Sequence, residues 1–142
     1  MGLVADAYAF LVAQNIVEGS TGWKLRRRRL DETANQLVVL TEDGGDVPEI
    51  ATVEGIGDAA LKDVGLHVIV RGEPWDGDGS FTKAQEIHSL LHGQLGVTMG
   101  ANFYHRLQAR TAEPLFAGYD ERGRPTHSIS FLGLTDAKEM SL

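Results

Sequence analysis

The chain has 142 residues and a formal net charge of −7 at pH 7, a length at which one domain can bury about two-thirds of its extended surface. Hydrophobic residues at 42% and charged residues at 23% place it among globular proteins, and the absence of cysteine excludes disulfides and thiolate metal sites. An acidic chain is also poorly equipped for tight DNA binding, which needs several cations against phosphates.

The N-terminal segment predicts a short helix packed on a core. The apolar positions at helical spacing are Leu3, Val4, Ala7, Phe10, Leu11 and Val12. Gly19 and Gly22 are expected to end this helix. The segment lacks the basic start of a signal peptide, and no apolar run reaches the ~20 residues that cross a bilayer. We therefore expect no membrane partner.

The next stretch predicts a polar loop, a buried strand and an acidic excursion. Residues 23–34 are polar and without periodicity, and they contain the run Arg26, Arg27, Arg28 and Arg29. Residues 36–41 are β-branched and apolar, which predicts a strand. Glu42 to Asp63 then holds seven carboxylates and one lysine, with glycine and proline interruptions that favour an exposed excursion.

The middle of the chain predicts one strand and the clearest helix. Residues 66–71 alternate in hydrophobicity and are bracketed by Gly65 and Gly72. After a loop at 74–79, Ser80 is a candidate N-cap for a helix beginning at Phe81. A broad apolar stripe predicts that this helix packs on a sheet, and Gly93 supplies the left-handed residue that ends it.

The last third predicts antiparallel strands. Residues 103–109 alternate, with Tyr104, Arg106, Gln108 and Arg110 on a solvated face. The sequence Asp120-Glu121-Arg122-Gly123 predicts a turn that joins strands at 115–119 and 126–134. We expect a single α/β (α+β) domain over 1–142, with a mostly antiparallel or mixed sheet of four to five strands, two helices on one face and a loose tail at 136–142.

No pattern of catalytic or ligand-binding residues emerges. His88 and His92 have the spacing of zinc ligands on a helix, but a third ligand is missing, so we predict that they bind no metal. His67, His105 and His127 occupy strands. Ser128 and Ser130 also lie in a strand rather than on a nucleophile elbow. Phosphate-binding and calcium-binding loop motifs are absent. We expect no catalytic residue and no cofactor.

Several segments in the second half resemble, in order, a known family of phage proteins. They are Val68-Ile69-Val70-Arg71-Gly72, Ala84-Gln85-Glu86-Ile87, Leu91-His92-Gly93, Tyr104-His105-Arg106-Leu107-Gln108-Ala109, Pro114-Leu115-Phe116, Asp120-Glu121-Arg122-Gly123-Arg124-Pro125 and Ser128-Ile129-Ser130-Phe131. Over about residues 60–134 the chain is similar to the phage minor capsid or tail completion family, which includes the tail terminators of long-tailed phages. The first half is similar in outline.

The resemblance implies a non-enzymatic virion protein at the tail-neck junction, assembled in the host cytoplasm. Such a protein forms a homo-oligomeric ring, commonly a hexamer, on the head-proximal end of the tail tube. It ends tube growth and offers a surface to a head-completion or stopper neck protein. The alternatives are another neck component, a stopper or adaptor, and a small hydrolase that uses His67, His88 or His105.

Two charge clusters carry our sequence-based site hypotheses. Arg26 to Arg29 form the only concentrated cationic feature, so they are candidates for contact with an acidic partner or with DNA, although charge runs in loops are most often solvated. DNA would pass through the ring without specific binding, which favours a neutral or acidic pore. The candidate lumen-facing acidic residues are Glu42, Asp43, Asp46, Glu49 and Glu54.

Overall fold

The computed structural model describes residues 2–42 and 61–136. The helices are α1 (Leu3–Ala13) and α2 (Gly77–Leu91), with a 3-10 turn at Gly19–Thr21. The strands are β1 (Lys24–Arg27), β2 (Leu37–Glu42), β3 (Leu61–Arg71), β4 (Gln94–Met99), β5 (Asn102–Ala109), β6 (Leu115–Tyr119) and β7 (Pro125–Asp136). Neither helix in these two ranges is long and apolar enough to cross a membrane.

All seven strands join one sheet. Its order is β1-β2-β3-β7-β5-β4, and β6 pairs with β7 beside β5. β1 pairs in parallel with β2, and every other pairing is antiparallel. The long pair β3–β7 at the centre runs from Leu61 opposite Asp136 to Arg71 opposite Thr126. The fold is therefore a mixed α+β arrangement, with more strands than the four to five predicted.

Both helices pack on one face of this sheet. Val64, Leu66, Val68 and Val70, which alternate along β3, form one buried cluster with apolar residues of α1 and α2. The helical members of this cluster are Leu3, Val4, Ala7, Leu11, Ala84, Ile87 and Leu91. Full burial of one such aliphatic side chain stabilises the fold by about 1.5–3 kcal/mol, so the amphipathic stripes account for the helical layer.

The N-terminal half differs from the sequence prediction in three places. α1 ends at Ala13, well before the glycines expected to stop it, and Asn15 follows with φ +60°. β1 lies inside the stretch predicted as a loop. Only Leu25 of β1 is fully buried, so this edge strand shows no apolar alternation in sequence. β3 begins at Leu61, and Gly65 lies within the strand instead of starting it.

α2 begins one turn earlier than predicted. Its N-cap is Asp76, whose carboxylate accepts a hydrogen bond of 3.0 Å from the Gly79 amide. Ser80 is not the cap, because it is buried inside the first turn. The helix ends at Leu91, and the predicted left-handed residue, Gly93 with φ +84°, follows the cap residue His92. The cap was misassigned because Asp76 and Ser80 are both good N-cap residue types and local sequence does not rank them.

The C-terminal sheet also corrects the prediction. β4 was missed, since Leu95 and Gly96 are both exposed and disrupt its alternation. A register shift between Tyr104 and Arg106 breaks the alternation of β5 and buries Tyr104 completely, although it was expected on the solvated face. The β6–β7 hairpin is confirmed.

β7 ends at Asp136, the first residue of the predicted C-terminal tail. β7 includes Thr135 and Asp136, and Thr135 is fully buried with its hydroxyl donating to the carbonyl of Phe103 at 2.6 Å. Residues 137–142 lie outside the described part of the chain. Pairing with β3 and β5 extends β7 beyond residue 134, where the apolar pattern predicted that this strand ends.

Candidate functional site

An exposed aromatic ridge lies along β6. Trp75, Phe116 and Tyr119 form the ridge, with 74%, 55% and 51% of their surfaces exposed. The ring centroids of Trp75 and Tyr119 are 5.1 Å apart, and those of Phe116 and Tyr119 are 5.3 Å apart. Leu115 on the same strand is 55% exposed as well, but its row with Ser128 and Ile69 places it on the opposite face from Phe116. Contiguous exposed apolar side chains of this kind mark interaction surfaces more often than isolated ones do.

The backbone around the ridge has unusual conformations. A register shift between Phe116 and Gly118 brings Phe116 and Tyr119 together although they are three residues apart. Trp75 has φ +61°, a conformation that costs a non-glycine residue about 1–2 kcal/mol. Its amide donates to the Gly123 carbonyl at 2.8 Å, and a Cβ on Gly123 would lie 2.5 Å from the indole. Trp75 is therefore held by the Gly123 turn in a conformation that leaves most of its side chain exposed.

The arginine run does not form a free loop. Arg26 and Arg27 belong to β1, while Arg28 and Arg29 follow it. Arg26 pairs with Glu18 at 3.4 Å and with Asp31 at 3.3 Å. The guanidinium of Arg27 lies 5.2 Å from the centroid of the Tyr8 ring.

The last two arginines differ in their contacts. Arg28 forms two contacts with the Glu42 carboxylate, one of them 2.9 Å from Nε to Oε1. The hydrogen bond from Arg28 lowers the pKa of Glu42. Arg29 is exposed and has no ion pair with any residue in the described ranges. Two of the four charges are thus compensated within the chain.

Most of the acidic candidate residues lie outside the described part of the chain. Glu42 ends β2 and is the only one of the five lumen candidates within the described residues. Asp43, Asp46, Glu49 and Glu54 lie outside them. Because Arg28 compensates Glu42, any field from this segment would come from the residues that follow.

A groove of about 720 Å³ opens on the sheet face away from the helices, and two buried arginines line it. Arg124 is 2% exposed and Arg71 is 4% exposed. Arg124 pairs with Asp120 at 2.7 Å and with Glu32 at 3.2 Å. Arg71 donates to the carbonyls of Asp31 and Ala34. The two arginines therefore hold residues 31–34 against the β6–β7 turn.

The electrostatics of the groove follow from this packing. Burial lowers the pKa of Arg71, and the positive charge of Arg124 lowers it further. Burial tends to raise the pKa of Asp120, but hydrogen bonds from Arg124 and from the Arg122 amide outweigh it and lower the pKa. Sequence reasoning missed both arginines, because one alternates like a solvated strand residue and the other follows a turn.

The helical histidines make structural contacts. His88 Nε2 lies 2.9 Å from the carbonyl oxygen of Thr111, and His92 Nδ1 accepts from the Ala109 amide at 2.9 Å. Their ring centroids are 5.3 Å apart. Within residues 2–42 and 61–136 no three histidine, aspartate or glutamate side chains are grouped as metal ligands.

Two serine–histidine contacts occur in the sheet region. His67 Nδ1 lies 3.1 Å from Ser130 Oγ, and His127 Nδ1 lies 2.6 Å from Ser80 Oγ. Burial lowers the pKa of His127, so its neutral form is favoured. Ser80 is fully buried, and in the described ranges no carboxylate bonds to either imidazole. His105 is exposed and packs edge-on against Phe103. A substrate could not reach Ser80 without local unfolding.

The ridge, too, was missed at the sequence level. The signal was present in residues 115–119, where leucine, phenylalanine and tyrosine share one short strand with no charged residue. Trp75 offered a second signal, because it is a large aromatic in a loop of turn-forming residues. What the sequence lacked was the proximity of the two segments, which the turn at Gly123 creates.

No protein-family model matches the sequence, and no curated protein matches it significantly. A search of solved structures finds similarity to a chain from the virion of a native gene transfer agent particle. The TM-score is 0.68 at 14% sequence identity, and the alignment covers 95% of each chain. This similarity shows a shared fold over nearly the whole length of both chains.

Proposed function

We propose that this chain is a structural virion protein that forms a ring on the head-proximal end of a phage tail tube. In this role it ends tube polymerisation and presents a joining surface to the neck. The observation that carries the proposal is the fold shared with a virion chain over 95% of both lengths. The ordered resemblance of residues 60–134 to the tail completion family supports the same role.

The surface of the molecule agrees with an assembly protein. A ring subunit needs two different surfaces that face its two neighbours. β1 and β6 are edge strands on opposite sides of the sheet, and the ridge beside β6 is apolar. The two serine–histidine contacts include one buried serine and involve no described carboxylate. We therefore favour a non-enzymatic role over the hydrolase alternative.

The charge hypotheses remain part of the proposal. Residues 42–63 would line or approach the lumen, and their charge would keep passing DNA from adhering. Arg27 and Arg29 are the members of the arginine run that remain for a partner, since Arg26 and Arg28 already pair within the chain. Replacing only Arg27 and Arg29 by serine is thus a sharper test than replacing all four.

The proposal is tested by adding the purified protein to the polymerising cognate tail tube subunit. We expect short tubes of narrow length distribution, each carrying one ring at one end in electron micrographs. Light scattering on the protein alone gives the subunit number of the ring. Tubes that grow to the same lengths with and without the protein would refute the terminator role. Binding to the neck complex without an effect on tubes would favour the stopper alternative.

A further inference from the structure

Two of the edge strands, β1 and β6, lie at the same height along the strands. The pairings align Leu25 with Val38, Val70, His127 and Phe116 in turn. This row crosses β1, β2, β3, β7 and β6. Because β1 is parallel to β2 and each later pairing is antiparallel, β1 and β6 run in opposite directions. Two copies would thus form an antiparallel β1–β6 pair when they are rotated relative to each other by the twist that accumulates across the intervening strands.

The charges at the two edges are partly complementary. Lys24, Arg27 and Arg29 are exposed along β1 and its end, and none has a carboxylate partner in the described ranges. The segments that flank β6 carry exposed charges of both signs, with Arg110 and Glu113 before the strand and Glu121 and Arg122 after it. When the strand pairings are followed across the sheet, Lys24 aligns with Gly118, at the end of β6 that leads to Glu121. Arg27 aligns with the position just before Leu115, at the end of β6 that leads back to Glu113. Opposite charges would therefore meet at both ends of the pair.

The side chains on the helix-covered face are also compatible. Phe116 lies on this face, where its ring centroid is 5.3 Å from that of His127. Arg27 lies on the same face, over the ring of Tyr8 in α1. A guanidinium beside an aromatic ring gains about 0.5–2 kcal/mol, depending on desolvation. The ridge of one copy would thus meet an arginine, not another apolar surface, at the edge of the next.

We propose that β6 and the aromatic ridge bind the β1 edge of a second copy of this chain. The contact is head-to-tail, and its closure into a ring rests on the proposed function. The symmetric β1–β1 alternative is disfavoured by charge, because it would bring arginines of the two copies together. The ridge supplies the apolar area. Backbone pairing at β1 requires the Glu18 carboxylate and the Arg26 guanidinium, which bond to the amide and carbonyl of Leu25, to move aside.

Disulfide cross-linking tests this pairing directly, since the chain contains no cysteine. Arg26 and Leu115 share a row with Val39, Ile69 and Ser128 and therefore the same face of the sheet. The double variant Arg26→Cys with Leu115→Cys should give a ladder of linked multimers on mild oxidation. Neither single variant should link. Disulfide dimers of the Leu115→Cys variant alone would indicate β6–β6 pairing and overturn the proposal.

A second pair of variants tests the ridge. Trp75→Asn should weaken self-association at least tenfold, as loss of a central aromatic contact does, and should leave the fold intact because asparagine tolerates positive φ. Leu95→Asn is the matched control, since Leu95 is also 74% exposed but lies on β4. Equal association constants for the two variants by sedimentation would overturn the role of the ridge.

The outcomes separate this inference from the proposed function. A ring that arrests tube growth but gives no ladder from the double-cysteine variant would refute only the β1–β6 contact. A ladder without arrest of tube growth would support the contact and refute the terminator role. A protein that stays monomeric and leaves the tube lengths unchanged would refute both.

Discussion

Arg124 carries the strongest stability prediction. We expect Arg124→Met to lower the free energy of unfolding by about 2.5 kcal/mol. Its hydrogen bonds to the Asp120 carboxylate at 2.7 Å and the Glu32 carbonyl at 3.1 Å are charge-assisted, and such bonds contribute about 1.5–3 kcal/mol each. The pair with the Glu32 carboxylate adds less than about 1 kcal/mol, since Glu32 is 69% exposed. Relief of the repulsion with Arg71 offsets part of the loss.

Urea unfolding followed by far-UV circular dichroism measures this loss. At this chain length the change corresponds to a fall in Tm of about 8 °C. The control is Arg122→Met, because Arg122 is exposed and its guanidinium donates only to the Glu32 carbonyl, at 3.2 Å. We expect the control to change stability by less than about 0.5 kcal/mol. An Arg124→Met variant as stable as the control would refute our account of the groove.

The pH dependence of the same variant provides an independent check. Asp120 has a lowered pKa in the folded state, largely through hydrogen bonds from Arg124 that outweigh burial. A carboxylate with a depressed folded pKa stabilises the protein above its unfolded pKa, near 3.8, and loses this effect as the pH falls further. The stability difference between wild type and Arg124→Met should therefore shrink below about pH 4.

Three further predictions concern other parts of the fold. Asp6→Ala should lower the free energy of unfolding by about 3 kcal/mol in urea titrations, since this buried carboxylate accepts from the amide of Ala101, the side-chain amide of Asn102 and the hydroxyl of Tyr104. The free energy of unfolding of the wild type should fall as the pH is lowered from about 7.5 to about 5.5, and that of His127→Gln should fall less. Burial lowers the pKa of His127 below 6.5 in the folded state, so in this range the proton binds to the unfolded state only. Gly123→Ala should cost about 1–2 kcal/mol from its positive φ and should change the fluorescence of the displaced Trp75; an unchanged emission spectrum would contradict the packing described.

Local patterns predicted the elements that bury a regular apolar stripe. These elements are β2, the central part of β3, both helices and the β6–β7 hairpin. They were predicted because their apolar spacing or turn-forming residues lie within one short stretch of sequence. β1 and β4 were not predicted. Each is an edge strand with few buried side chains, so backbone pairing with a neighbour forms it and the hydrophobic pattern does not report it.

The candidate sites divide in the same way. The arginine run was visible as a charge cluster, but only the structure shows that Arg26 and Arg28 are already paired with carboxylates. The histidine spacing was visible as well, and the structure adds one hydrogen bond between each ring and the backbone. Composition alone counts charges and cannot say which of them are neutralised by their neighbours.

The sequence by itself determined the class of the fold, its two amphipathic helices and the absence of cysteine chemistry. Only the tertiary structure decided that Trp75 contacts Tyr119 and that Arg71 and Arg124 are buried side by side. It also decided that the edge strands β1 and β6 lie at the same height along the strands. The physical reason is distance along the chain. Periodicity reports which side of its own element a residue occupies, whereas these contacts join segments that are brought together by the order and register of seven strands.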